Sequence, residues 1–165
     1  MKTPDLLSLL QEFHREKLAL LLKHIAGARL VSQYDVNNTY QYIVNREEAQ
    51  LSWLAKAIAE LGGTPATDAT DTQRTAQGKS EARLKTVADE DARDAGAFVE
   101  RWRPRVEAMD DARHRGMLRV ILGETLEQKR FFEQAAAGRT DLLGRRATEI
   151  IGPAVGEVLP TRWVE

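Results

Sequence analysis

Apolar residues recur every three to four positions in four stretches of the chain, and no stretch alternates with the period of two that a half-buried strand needs. Leu7, Leu10, His14, Leu18, Leu21 and Ile25 share one face of a first predicted helix over about 5–27. Val44, Glu47, Leu51, Leu54, Ile58 and Leu61 do the same in a second, for which Ser32 or Asp35 is the expected cap and the "LGG" glycines the stop. A third predicted helix begins between Ser80 and Val87 and carries Leu84, Val87, Asp91, Ala95, Phe98 and Trp102 on one side. Pro104 is expected to kink or end it. The fourth opens near Asp110 or Asp111 and runs to about Ala137, with Met117, Ile121, Glu124, Gln128 and Phe131 on one face and Glu127 at its edge.

The links between these stretches restrict the topology. Residues 62–80, rich in Thr, Gly and Asp, have no apolar period and read as a long exposed connection. A helix of about 25 residues is roughly 38 Å long, and a connection of about 19 residues reaches about 60 Å, so this link can cross the whole bundle. The other two links are short and imply antiparallel pairs. The expected fold is all-α: one four-helix domain over 1–138, two antiparallel pairs joined by a long crossover, and a C-terminal tail over 139–165 packed on the bundle or at a subunit contact.

Each predicted helix interrupts its apolar face near the middle. The interruptions are His14, Glu47 with Gln50 one turn on, Asp91 with Glu90 beside it, and Glu124 with Gln128 and Glu127. The interval from His14 to Glu47 is 33 positions, and so is that from Asp91 to Glu124. Two equivalent hairpins would bring the four positions to one level. An ionised carboxylate buried without a partner costs several kcal/mol, so such acids need a counter-charge, a shared proton or a metal.

With these motifs the chain resembles the ferritin-like superfamily, in particular the bacterioferritin and rubrerythrin type of four-helix bundle. The resemblance covers about residues 5–138 and is carried by "EEAQLSWLAKAIAELGG" and "ILGETLEQKRFFEQA". In that family each half supplies one Glu from its first helix and a Glu-x-x-His from its second, together holding two irons. Carried over, Glu47 and Glu124 match the motif acids, while Gln50 and Glu127, with Gln128 next to it, stand where histidines belong. His14 falls near the first-helix Glu, and Asp91 or Glu90 takes the third-helix place. Without both histidines a full di-iron ferroxidase is not expected. His14, Glu47, Asp91, Glu124 and Glu127 are the expected ligands of one iron or manganese ion, which leaves room for a weak oxidase. The alternative is a metal-free binding or assembly module in which Gln50 and Gln128 hydrogen-bond the acids.

Composition narrows the remaining choices. The chain has no cysteine, which excludes disulfides, thiolate metal sites and thiol catalysis. A net charge of -1 gives no global pull toward nucleic acid or membrane. No apolar run suits a signal peptide or a membrane span, so a cytoplasmic chain is expected. The arginine-rich stretch 101–119 reads as a solvated face, and no nucleic-acid partner is expected. His24 and His114, near helix ends, read as structural residues. Tyr34, Tyr40 and Tyr42 read as core or cavity lining. The apolar tail and the habit of the resembled family point to a homo-oligomer, with a dimer as the simplest form.

Overall fold

The computed structural model describes residues 3–67, 72–139 and 141–143. Four helices, α1 (Thr3–Ala28), α2 (Tyr34–Glu60), α3 (Ser80–Glu107) and α4 (Ala112–Ala136), account for the regular structure, with no strand among the described residues. Most of the expected tail, 144–165, lies outside the described residues, although Leu142 is buried against the bundle.

The helix ends follow local chemistry. The α2 and α4 helices run into glycines in the left-handed region, Gly62 at φ 79° and Gly138 at φ 87°, where a side chain would be strained. Asp111 caps α4 by accepting from the His114 backbone N–H at 2.8 Å. Neither Ser32 nor Asp35 caps α2. The N-cap is Gln33, without a side-chain bond, and the turn is tied instead by Asn37 Nδ2, which donates to the carbonyls of Ala28 and Val31. Pro104 does not end α3, which continues to Glu107. Having no N–H, the proline cannot donate to the carbonyl of exposed Glu100 one turn earlier, a loss water can replace. Meanwhile the last turn is held by the Ala108 N–H bond to the Pro104 carbonyl and by burial of Val106.

The α1–α2 and α3–α4 pairs are the most extensive contacts, and α1 meets α3 and α2 meets α4 more sparsely. Directions follow from side-chain pairs. Glu12, Glu16 and Lys23 of α1 meet Arg105, Arg101 and Asp94 of α3, so those helices run antiparallel. Tyr42, Arg46 and Glu60 of α2 likewise meet Phe131, Glu124 and Arg113 of α4.

The core has two apolar clusters. One surrounds Phe13, which packs edge-on against Phe98 and Trp102 at centroid distances of 5.1 and 4.8 Å. The other surrounds Tyr40 and Phe132, 5.3 Å apart. Fully buried leucines such as Leu10, Leu54 and Leu118 each contribute about 1.5–3 kcal/mol. Where one cluster gives way to the other along each helix, the buried side chains become polar: His24, Glu47, Asp91, Thr125 and Gln128.

Candidate functional site: a charged layer inside the bundle

The deepest element of this layer is an ion triad. Glu47, from the middle of α2, is fully buried. Its Oε1 accepts from Lys17 Nζ at 2.7 Å and its Oε2 faces His24 Nδ1 at 2.8 Å. Lys17 and His24 are themselves fully buried and stand two turns apart on α1, so one helix face supplies both. The Lys17 ammonium also reaches Thr125 Oγ1 of α4 at 3.4 Å and lies 5.8 Å from the Phe98 ring centre. All four helices therefore touch this one cation. Burial pushes the Glu47 carboxyl up, but His24 and Lys17 outweigh it and hold the group below its ordinary value.

A second network surrounds Asp91 of α3, also fully buried. Tyr40 donates its hydroxyl to Asp91 Oδ2 at 2.6 Å, and Arg74 Nη1 donates to both oxygens at 2.8 and 3.1 Å. Arg74 belongs to the long connection, not to a helix. Its guanidinium enters the bundle beside Gly27 and also donates to the carbonyls of Lys23 and Val87 and to Glu90. A Cβ on Gly27 would lie 2.5 Å from Arg74 Nη1, so this approach needs a residue without a side chain. Burial and the neighbouring Asp91 charge raise the Tyr40 phenol far above its ordinary pKa.

Glu124, the third acid, is at the rim. It accepts from Arg46 and from Gln50 Nε2 across the α2–α4 seam. Glu127 faces solvent, because the buried positions of α4 are His114, Leu118, Ile121, Leu122, Thr125, Gln128, Phe132 and Ala135. The expected face meets the buried one at Ile121 and Gln128, but Met117, Glu124 and Phe131 each lie one residue before buried Leu118, Thr125 and Phe132. In α1 likewise Leu10 and Leu21 are buried as expected, whereas Leu7, Leu18 and Ile25 are partly buried and Lys17 and His24 are inside. His14 is buried as expected, but its Nδ1 makes no hydrogen bond with any described residue, nor do Gln50 Oε1, Gln128 Oε1 and His24 Nε2.

The five expected ligands are thus distributed rather than gathered. His14 stands alone, Glu47 sits in the Lys17 triad, Asp91 in the Arg74 network, Glu124 on the rim and Glu127 outside. Among the described residues no group of three or more His, Asp and Glu side chains converges as a metal would require. Lys17 and Arg74 are the residues that sequence reasoning missed, and His24, read there as structural, belongs to the same layer. Only the periodicity Phe13, Lys17, Leu20, His24, at three- and four-residue steps, could have exposed Lys17, and nothing local marks Arg74.

In the arginine-rich stretch, Arg101, Arg105, Arg113 and Arg119 are each held by a glutamate: Glu16, Glu12, Glu60 and Glu107. No described helix is long and apolar enough to cross a membrane. Compared with known proteins, the chain matches no family model, no curated protein and no solved structure.

Proposed function

We propose that the chain is a ferritin-like bundle whose interior acids are neutralised by its own cations, and that it works as a metal-free module for self-assembly. The observation that carries this reading is the 2.7 Å contact between two fully buried groups, Lys17 Nζ and Glu47 Oε1. An ammonium there supplies the positive charge that a divalent ion would bring, and repels such an ion from the same oxygens. Arg74 does the same at Asp91. The donors present therefore do not fit an iron or manganese ion, and no oxidase step is assigned to them.

The ferritin-like topology is supported by the ends of the long connection. Near its start the Thr64 carbonyl accepts from Gln11 in the first half of α1, and near its end Arg74 meets Lys23 in the last turns of α1. A crossover running the length of α1, with α2 and α3 parallel, accounts for both contacts.

Metal stoichiometry tests the reading. Protein purified without chelator and resupplied with iron(II) or manganese(II) is expected to retain no stoichiometric metal by elemental analysis. One ion per chain, lost on Glu47→Gln, would overturn it and restore the carboxylate metal site.

A further inference from the structure

Among the described residues, every large hydrophobic side chain exposed on a helix belongs to α2 or α4. Three of them, Tyr42 (44% exposed), Trp53 (37%) and Val120 (52%), follow the α2–α4 seam. Packing inside the chain is sparse at this seam, as it is between α1 and α3, and a cleft of about 160 Å³ opens beside Trp53 and Met117. On the outer side of α4, Gly116 and Gly123 flank Val120 by one turn each way. A Cβ at either glycine would meet no described residue within 4 Å, so no contact among the described residues requires a glycine there. Mid-helix glycine is destabilising relative to alanine, and the missing side chain allows another backbone to approach.

We propose that this face is the contact surface of an isologous dimer, its occupant being the same face of a second copy. This rests on the assembly reading above and specifies the surface that reading leaves open. Self-complementarity is the reason for choosing a second copy. The Arg46–Glu124 ion pair lies near the middle of the seam, with Tyr42 and Phe131 to one side of it and Trp53 and Met117 to the other. A two-fold axis lying along the seam lays α2 of each copy on α4 of the other, so that Tyr42 meets Phe131 of the second copy at one end and Trp53 meets Met117 at the other. The same operation places Arg46 of each copy near Glu124 of its mate, so the centre of the interface is charge-balanced.

The available area suits this. Two neighbouring helices, each about 40 Å long and about 10 Å wide, present roughly 800 Å² per copy, the usual contribution to a stable interface. The chain's net charge of -1 adds little long-range repulsion between copies.

The absence of cysteine makes the test clean, since a single introduced thiol can pair only with that of another copy. Ala49 lies on the same outward face of α2, between Arg46 and Trp53, about one helix width from its counterpart in the second copy. The wild type is expected to sediment as a dimer at micromolar concentration. Val120→Arg and Trp53→Ser are each expected to weaken dimerisation by roughly ten-fold or more with helical circular dichroism unchanged. Ala49→Cys is expected to be joined into a covalent dimer by a short bifunctional thiol reagent, whereas Ala97→Cys, on the α1–α3 side, is not. A wild type that stays monomeric would overturn both this surface and the assembly reading. A dimer that survives both substitutions, or is linked through Ala97→Cys in place of Ala49→Cys, would overturn the surface alone.

Discussion

Lys17 Nζ donates to Glu47 Oε1 at 2.7 Å with neither side chain exposed to solvent. A buried ion pair of this kind need not add net stability, because desolvating two charges offsets much of their attraction. Removing one partner is a different matter, since the other is then left charged and dry. The metal-free alternative, read from the sequence alone, expects Glu47→Gln together with Glu124→Gln to leave stability unchanged or raised, because buried charge is relieved. The structure reverses this at position 47. Glu47→Gln strands the Lys17 ammonium and is expected to cost about 3–5 kcal/mol. Glu124→Gln, at the rim, is expected to stay within about 1 kcal/mol of wild type. Urea unfolding of the two variants checks the contrast.

Arg74 and Gly27 form a second dependent pair. Arg74→Met leaves Asp91 with only the Tyr40 hydroxyl, and a loss of about 3–5 kcal/mol is expected. Gly27→Ala drives the guanidinium from the same position and should destabilise in the same direction. Both variants should also be cut faster by protease within 62–79, because Arg74 is the anchor of that connection. Unchanged cleavage in both would show that the anchor lies elsewhere.

The pH dependence has two parts with the same sign. Burial lowers the His14 pKa below its ordinary 6.5. The unfolded chain then binds the proton more readily, so stability declines as pH drops below about 6.5. Glu47 is also held below its ordinary 4.5, so its contribution is present above that value and is lost as pH falls through the folded pKa. His14→Leu is expected to flatten the decline between about pH 7 and pH 5 while leaving the steeper loss in stronger acid. Parallel wild-type and variant curves over that range would count against a buried neutral His14.

Helix capping gives a local check. Asp111→Ala removes a side-chain cap that is made and should cost about 1 kcal/mol. Ser32→Ala removes no cap of α2, because the N-cap is Gln33. It should cost a few tenths of a kcal/mol at most. Thermal melts of the two variants, measured together, separate these cases.

The four helices were legible because period and caps agree over long segments. In α2 and α3 the phase was also right, and Glu47 and Asp91 lie inside as their apolar neighbours require. In α1 and α4 the phase was right at Leu10, His14, Leu21, Ile121 and Gln128 and slipped by one position elsewhere, for a physical reason. Leu7, Leu18 and Ile25 look like core and form the rim, whereas Lys17 looks like surface and is core, next to the buried His24. A charge buried beside its counter-charge breaks the burial preference on which pattern reading depends. Arg74 was illegible for another reason. It sits in a connection with no period, and its partner Asp91 comes near only when the bundle closes.

The most direct test of the account is a double-mutant cycle on Lys17→Met and Glu47→Gln, followed by chemical unfolding. If the ammonium is the counter-charge, each single variant is costly, the pair recovers much of the loss, and the coupling is about 2–3 kcal/mol. Coupling within about 0.5 kcal/mol of zero would mean that the two groups are independent, and the internally neutralised bundle would be contradicted.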